Sequence, residues 1–297
     1  MLDFKPIEKE QLNVYQSLFH DDSALGCEYN FVSGYLWSRV YQLKVALFEN
    51  NTLVKAYFRD NGAVWGYCMP HGENVAGAVE EILSDAAERG SDVMICYLSQ
   101  QERDTLEAMF PGMFTYAREP YNQDYIYTSR DLATLAGKKF HAKRNHISKF
   151  YREYSDFVRF ETMERANLTD ALQVMKLWCA ENNIRVQDHG EYAAFQLACD
   201  NFEALQMRGA LLYVHGKPVA MTMGCAISPK CFDIMFEKGL RDYDGVYAVI
   251  NNEFAKTLTQ YEYINREEDM GLEGLRKSKL SYHPAIVYDR YTAAIKK

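Results

Sequence analysis

Two periods of apolar spacing alternate along this chain, and each change of period marks a boundary between elements. In "KVALFENNTLVKAYF", two apolar runs flank a polar center, which predicts two strands joined by a hairpin turn at Asn50-Asn51. "AVWGYCMPHG" predicts another strand, closed by Pro70 and Gly72. The spacing then lengthens: "ENVAGAVEEILSDAAERG" is apolar at 75, 79, 82, 83 and 86, a helical stripe that stops at Gly90. A buried strand "DVMICYL" follows, then a capped helix "SQQERDTLEAMFPG" and a hairpin-like pair within "FTYAREPYNQDYIYTSRDL".

The second half reads in the same way. It opens with strand "FVRFETM" and helix "NLTDALQVMKLWCAEN", apolar at 168, 171, 172, 175, 178 and 179, with Asn167 as the expected N-cap. Helix "EYAAFQLACDNFEALQ" leads into the hairpin "GALLYVHGKPVAMTMGCAI", turning at His215-Gly216-Lys217-Pro218. Strand "CFDIMFEKGL", helix "DGVYAVINNEFAKTLTQ", strand "YEYINREED", helix "LEGLRKSKLSYH" and a single final strand "AIVYDRYTAAI" complete it. Each half therefore mixes strands and helices, which predicts an α/β chain with mixed sheets. With 297 residues, two domains of about 150 residues each are expected.

Composition narrows the picture. A net charge of −8 argues against a chain wrapped in nucleic acid, because cations supply most of the affinity for phosphate backbones. The seven cysteines include no CxxC pair and mostly sit in apolar runs, so they read as small buried hydrophobes of a reducing cytoplasm. The seven histidines are dispersed, and no metal site is expected. No signal peptide opens the chain, and no apolar run approaches the ~18 residues of a membrane span, so a soluble cytoplasmic protein is expected.

One stretch breaks the acidic trend. "KKFHAKRNHISKFYREYSDF" (138–157) holds Lys138, Lys139, Lys143, Arg144, Lys149 and Arg152 before its first acid. At about 100° per residue, Phe140, Ile147, Phe150, Tyr151, Tyr154 and Phe157 form one stripe, with Lys138, Lys149 and Arg152 opposite. Lys143 falls inside the apolar stripe, with Lys139 and Arg144 near its edges. A charge on a packing face must be paired or must meet a ligand. Lys143, Arg144 and Asn145 are therefore expected to form an anion pocket for a donor phosphate or a tRNA acceptor end, with salt bridging to the flanking domains as the alternative.

The element order of the second half resembles the GNAT acyltransferase fold. More specifically, "GLEGLRKSKLSYHPAIVYDRY", with Leu275-Arg276, Lys279, Pro284 and Arg290-Tyr291, resembles the end of the C-terminal catalytic domain of bacterial phosphatidylglycerol lysyltransferases. Together with "GKKFHAKRNHISKF" and "NREEDMGLEGLRKSK", it looks like the stand-alone bacterial relatives of that domain. The resemblance implies two tandem GNAT-like domains, 1–137 and 158–297, joined by the basic helix 138–157, with the active site in the second. It implies transfer of an acyl or aminoacyl group from acyl-CoA or aminoacyl-tRNA to an amine or hydroxyl of a small molecule, lipid or peptide, with no permanently bound cofactor.

On this frame, "CFDIMFEKGL" splays from "YEYINREED" and the helix from Gly245 begins between them. A CoA-using GNAT grips diphosphate with a glycine-rich loop at that helix start. Here the place reads "GLRDYDGVYAVINN", with Asp242 and Asp244 at the entrance, which repels a diphosphate. Glu237 is the expected base or amine anchor, or else a strand-end carboxylate paired with Lys238 or Arg241. Tyr247 and Asn251, one turn apart, are the expected general acid and its neighbor. Asn265, Glu267 and Asp269 end a buried strand before a glycine turn, a position suited to an amino-group substrate. Arg276 and Lys279 share a helix face suited to an anionic group. A non-catalytic binding module that keeps the fold but has lost the donor loop stands as the alternative function.

Overall fold

The computed structural model of the chain describes residues 1–18, 22–49 and 51–296. A short strand β1 (Lys5–Pro6) and helices α1 (Leu12–Leu18) and α2 (Phe31–Tyr41) lead into β2 (Leu43–Phe48) and β3 (Thr52–Phe58). These two strands form the expected antiparallel hairpin, with Leu43 opposite Tyr57 and Phe48 opposite Thr52. Of the expected turn pair, Asn50 lies outside the described residues. Strands β4 (Val64–Cys68) and β5 (His71–Gly72) precede α3 (Val75–Arg89), which Gly90 ends in the left-handed conformation at φ 65°. Then come β6 (Met94–Leu98) and α4 (Gln100–Met109), whose Ser99 and Glu102 form a reciprocal capping box.

Strands β7 (Phe114–Arg118) and β8 (Asp124–Thr128), helix α5 (Ser129–Thr134) and the basic helix α6 (His141–Tyr154) close the first half. The second half runs β9 (Val158–Thr162), α7 (Leu168–Glu181), α8 (Gly190–Asp200), β10 (Arg208–Val214), β11 (Lys217–Ser228) and β12 (Cys231–Gly239). It ends with α9 (Val246–Lys256), β13 (Tyr263–Asn265), α10 (Glu273–Leu280), β14 (Ile286–Tyr288) and β15 (Tyr291–Ile295). Asn167 stands at the N-cap of α7 as expected, but its side chain accepts from the Glu164 amide at 2.8 Å and caps the preceding 3-10 turn instead.

The strands form two mixed sheets, and the sheets exchange strands. One has the order β1-β2-β3-β4-β6-β15-β7 with β5 on β3, and the other β14-β8-β13-β12-β11-β10-β9. Two sequence expectations change here. The β7–β8 segment is no hairpin: β7 pairs with β15, whereas β8 lies between β13 and β14. The expected single final strand is two, β14 in the second sheet and β15 in the first, parted at Asp289-Arg290. Cuts at 137 and 158 thus separate the sheets only after β8 and β15 have changed sides.

The two halves also share a core. Phe31, Leu36 and Val45 of the first half pack in one buried cluster with Met175, Phe195, Met221 and Phe236 of the second, and Trp37 stacks on Phe236 at 6.1 Å. A second cluster, with Phe140 just before α6 and Phe150 on it, covers the other face of the second sheet against α9. Phe157 departs from the expected stripe, 54% exposed in the turn after α6 ends. All seven cysteines are free and buried. Among the described residues no helix is long and apolar enough to cross a membrane.

Candidate functional site

Strands β12 and β13 are parallel neighbors over three residues only, Cys231–Asp233 against Tyr263–Asn265. Beyond Asp233 the strands part, and the second half of β12 keeps its ladder with β11 but has no ladder partner on the β13 side. That gap is the expected splay.

Across it, Arg266 Nη2 donates to Glu237 Oε1 at 2.6 Å, while Asn251 Nδ2 donates to Glu237 Oε2 at 3.0 Å. The three side chains come from β12, α9 and the end of β13, so Glu237 pairs with neither Lys238 nor Arg241. Lys238 meets Glu191 at 2.7 Å, and Arg241 meets Glu181 and Asn182. Arg266 lies over the rings of Tyr282 at 4.9 Å and Tyr127 at 5.7 Å. Burial works against its charge, and the Glu237 carboxylate more than restores it. Arg266 Nη1 and Asn251 Oδ1 are buried without a hydrogen-bond partner, so this cluster keeps one donor and one acceptor to offer.

Lys143 reaches the same place from α6. Its Nζ sits 3.8 Å from the Tyr282 ring centroid. Burial and the Arg266 guanidinium depress the ammonium to about 8, with Glu237 opposing. Its expected companions do not converge with it. Arg144 donates to the carbonyls of Leu135 and Gly137, the latter at 2.7 Å, closing the end of α5, and Asn145 pairs with His141 at 3.1 Å. Of the other cations of the basic stretch, Lys149 meets Asp244 at 2.6 Å and Lys139, just before α6, meets Asp131 at 2.9 Å.

Helix α6 also covers the start of α9. Gly245, at φ 87°, passes so close that a β-carbon there would stand 2.7 Å from the His146 carbonyl oxygen and 3.5 Å from Phe150 Cβ. The helix end where a GNAT diphosphate would dock is therefore filled by the linking helix, with Asp244 beside it. Tyr247 stands at the rim, 41% exposed, its hydroxyl accepting from Trp178 Nε1 at 3.1 Å.

Where the strands begin to part, carboxylates gather. Asp233 of β12 is wholly buried, its Oδ1 unpartnered and its Oδ2 3.4 Å from Asn30 Nδ2 at the start of α2. Glu267 and Glu268 lie close by. Burial and mutual repulsion hold Asp233 and Glu267 well above the usual carboxylate range, and burial with nearby Asp124 raises Glu268. Among the described residues no cationic side chain forms an ion pair with these three.

The loop that carries them is firmly tied. Lys279 Nζ donates to the carbonyls of Arg266 at 2.5 Å, Glu267 at 2.9 Å and Glu268. Arg276 grips both oxygens of Asp269 at 2.6 and 3.0 Å, and Tyr125 donates to it at 2.6 Å. Burial alone would raise the Asp269 carboxyl, but Arg276, Tyr125 and the Gly271 amide hold it at about 2. Asn265 is spent on the Leu25 carbonyl and Asp124, each at 2.9 Å. Of the residues expected to meet substrate, Asp269, Arg276 and Lys279 thus use their polar atoms on the loop itself and Asn265 on Leu25 and Asp124, while Glu267 keeps its carboxylate uncommitted.

Sequence reasoning missed Asp233 and the pair of Asp124 with Arg290, and marked Arg266 only as part of the polar run Asn265–Asp269 without a role of its own. Arg290 is 1% exposed and meets Asp124 at 2.9 Å, pinning the break between β14 and β15. Cys27, Asp124 and Glu268 place three metal-binding atoms within 4.8 Å of one another. Arg290, whose Nη2 is also 3.9 Å from Cys27 Sγ, already supplies the positive charge there. A carboxylate inside the apolar run "CFDIMF" was the available signal for Asp233.

Comparison with known proteins fits this geometry. Over its full length the chain is 34% identical to a conserved protein of unknown function from Bacteroides thetaiotaomicron, whose crystal structure it matches over 100% of both chains with a TM-score of 0.91. It is similar in fold to L-PGS from Bacillus licheniformis, at 16% identity, 99% and 93% coverage and a TM-score of 0.69. A tandem GNAT protein from the clavulanic acid biosynthesis pathway matches at 9% identity, 99% and 98% coverage and a TM-score of 0.52. An uncharacterized protein of Mycoplasmoides gallisepticum is 21% identical over 173 residues, 58% of this chain and 56% of that protein, so the chain spans little more than half of that curated relative. The family model for the phosphatidylglycerol lysyltransferase C-terminal domain matches residues 23–294. With its tandem GNAT-like fold and a match over nearly its whole length, the chain belongs to the phosphatidylglycerol lysyltransferase C-terminal family.

Proposed function

We propose that this chain moves an aminoacyl group from an aminoacyl-tRNA ester to a hydroxyl or amine acceptor in the gap between β12 and β13. The observation that carries the choice of donor is the seating of α6 on α9. With the His146 carbonyl against Gly245, the anion seat of an acyl-CoA is filled, and Lys149 beside it is already engaged by Asp244. An aminoacyl ester needs no such seat. It carries an ammonium group instead, and Asp233, Glu267 and Glu268 offer carboxylates that, among the described residues, lie near Lys279 but within ion-pair distance of no cation. An ammonium bound there would favor the charged carboxylates and displace the protons that burial retains.

Glu237, Arg266 and Asn251 then stand over the reacting carbonyl. The free Arg266 Nη1 donor suits the oxyanion that forms when the ester is attacked. Tyr247, at the rim, suits a contact to the leaving ribose. In this reading residues 158–297 hold the chemistry, 138–157 connect the halves, and 1–137 shape the far wall, with Asp124 and β15 reaching across.

The test compares donors directly. Total tRNA charged with radiolabeled amino acids and radiolabeled acetyl-CoA are each supplied with vesicles containing phosphatidylglycerol, the acceptor in the family's name. The expected result is lipid-borne label from aminoacyl-tRNA alone, and a thermal midpoint raised by tRNA but not by CoA, the tRNA shift fading as salt rises. A midpoint raised by CoA, or label passed from acetyl-CoA, would overturn the choice of donor.

A further inference from the structure

We propose that Lys143 carries the proton in the transfer step, taking it from the acceptor and returning it to the departing ribose oxygen. The proposal rests on the aminoacyl-transfer reading above. The Lys143 amine accepts the acceptor's O–H or N–H proton as that atom bonds to the ester carbonyl carbon. When the tetrahedral adduct collapses, the carbon–oxygen bond to ribose breaks, the electron pair stays on oxygen, and the Lys143 ammonium protonates it. No other reactant is consumed.

The geometry isolates Lys143 from every competing role. Around the gap, Glu237 has both oxygens engaged, Asp269 is saturated by Arg276 and Tyr125, and Lys279 spends its N–H groups on three carbonyls. Lys143 rests only on the face of Tyr282, which accepts no proton, and among the described residues no carboxylate lies within ion-pair distance of it. Arg266 shares that ring and pairs with Glu237, so Lys143 is joined to the cluster through a single aromatic group.

The charges that face it explain why its proton is mobile. Arg266 from the end of β13 repels the ammonium, Glu237 from β12 attracts it more weakly, and Tyr282 after α10 covers it. In the 3-10 turn before α6, Lys139 is held by Asp131, and on α6 itself His146, one turn after Lys143, is exposed. Burial and Arg266 bring the group to about 8, within reach of neutral solution, where an ordinary lysine holds its proton.

The test separates proton transfer from mere positive charge. Lys143→Met and Lys143→Arg are compared with the full-length wild type in lysyl transfer from lysyl-tRNA to phosphatidylglycerol vesicles between pH 6 and 10, with folding checked by thermal unfolding. A wild-type kcat/KM that rises through an inflection near pH 8 is expected. Both variants should lose about 10²–10⁴-fold, because arginine keeps the charge but does not release a proton. Lys143→Arg within a few-fold of wild type would make Lys143 an anion contact and overturn the proposal.

A second measurement needs no substrate. Competitive acetylation of the whole chain with acetic anhydride across pH 6–11, mapped by mass spectrometry, should show Lys143 titrating about two units below the surface lysines. A Lys143 that titrates with the others, or never reacts, overturns the proposal whatever the substrate. If Lys143 titrates near 8 but the wild type transfers from no aminoacyl-tRNA at any pH, the aminoacyl reading has failed, and the proton step falls with it.

Discussion

Arg266 and Glu237 face each other at 2.6 Å across two strands that have stopped pairing. With both side chains nearly buried, the pair does the joining that backbone hydrogen bonds no longer do. Removing one partner leaves the other charged and desolvated, which costs about 3–5 kcal/mol. Arg266→Ala and Glu237→Leu should each lose stability on that scale in urea unfolding. The double variant should recover part of the loss, because no orphan charge remains. Additive losses would mean that the pair is not energetically coupled.

Gly245 sits where a side chain fits neither the backbone nor the space. Its φ of 87° is left-handed, and the His146 carbonyl closes the site from α6. Gly245→Ala should therefore destabilize by about 1–3 kcal/mol and loosen α6 from α9. Hydrogen exchange checks the second effect: the amides of α6 should lose protection before those of β10 and β11. A variant that melts like wild type would show that the two helices are not held there.

The periods of the sequence made most elements legible because helices and hairpins are local. The β2–β3 and β10–β11 hairpins and the Gly90 stop all depend on neighboring residues. Strand partners across the fold do not. Nothing near Phe114 says that it will lie beside Ile295, or that Ile126 will lie between Asn265 and Ile286. The site shows the same division. The place of Lys143 in an apolar stripe marked it as unusual, and the structure puts it on Tyr282. Arg144 looked similar on the helix, but its partners are carbonyls at the end of α5, which spacing alone does not reveal.

Two sets of carboxylates should respond to pH with opposite signs. The Asp269 carboxyl is held at about 2, so it binds its proton more weakly folded than unfolded. Its contribution is complete above the usual value of about 4 and is lost as pH falls toward 2. Asp233 is held well above its usual value, so the folded chain keeps a proton that the unfolded chain has shed. That effect lowers stability as pH rises from about 4. Asp233→Asn should therefore raise the melting midpoint, with a gain that grows with pH, whereas Asp269→Asn should lower it and flatten the acid limb. Midpoints measured from pH 3 to 8 decide both, and an Asp233→Asn gain independent of pH would contradict the assignment.

Lys279 holds the loop that presents the uncommitted carboxylates. Glu267 and Met270 both have positive φ, 54° and 53°, a conformation that side-chain-bearing residues adopt only when their surroundings impose it. At Glu267 the ammonium of Lys279 holds it by binding the carbonyls of Arg266, Glu267 and Glu268 from one point. Lys279→Met removes all three donors, so the loop should relax and cleave faster under limited proteolysis between Arg266 and Met270. Lys279→Arg should not rescue it, because a planar fork does not aim three donors as a tetrahedral ammonium does. Full protection in Lys279→Arg would mean that positive charge at this position, rather than its geometry, keeps Glu267 and Glu268 in place.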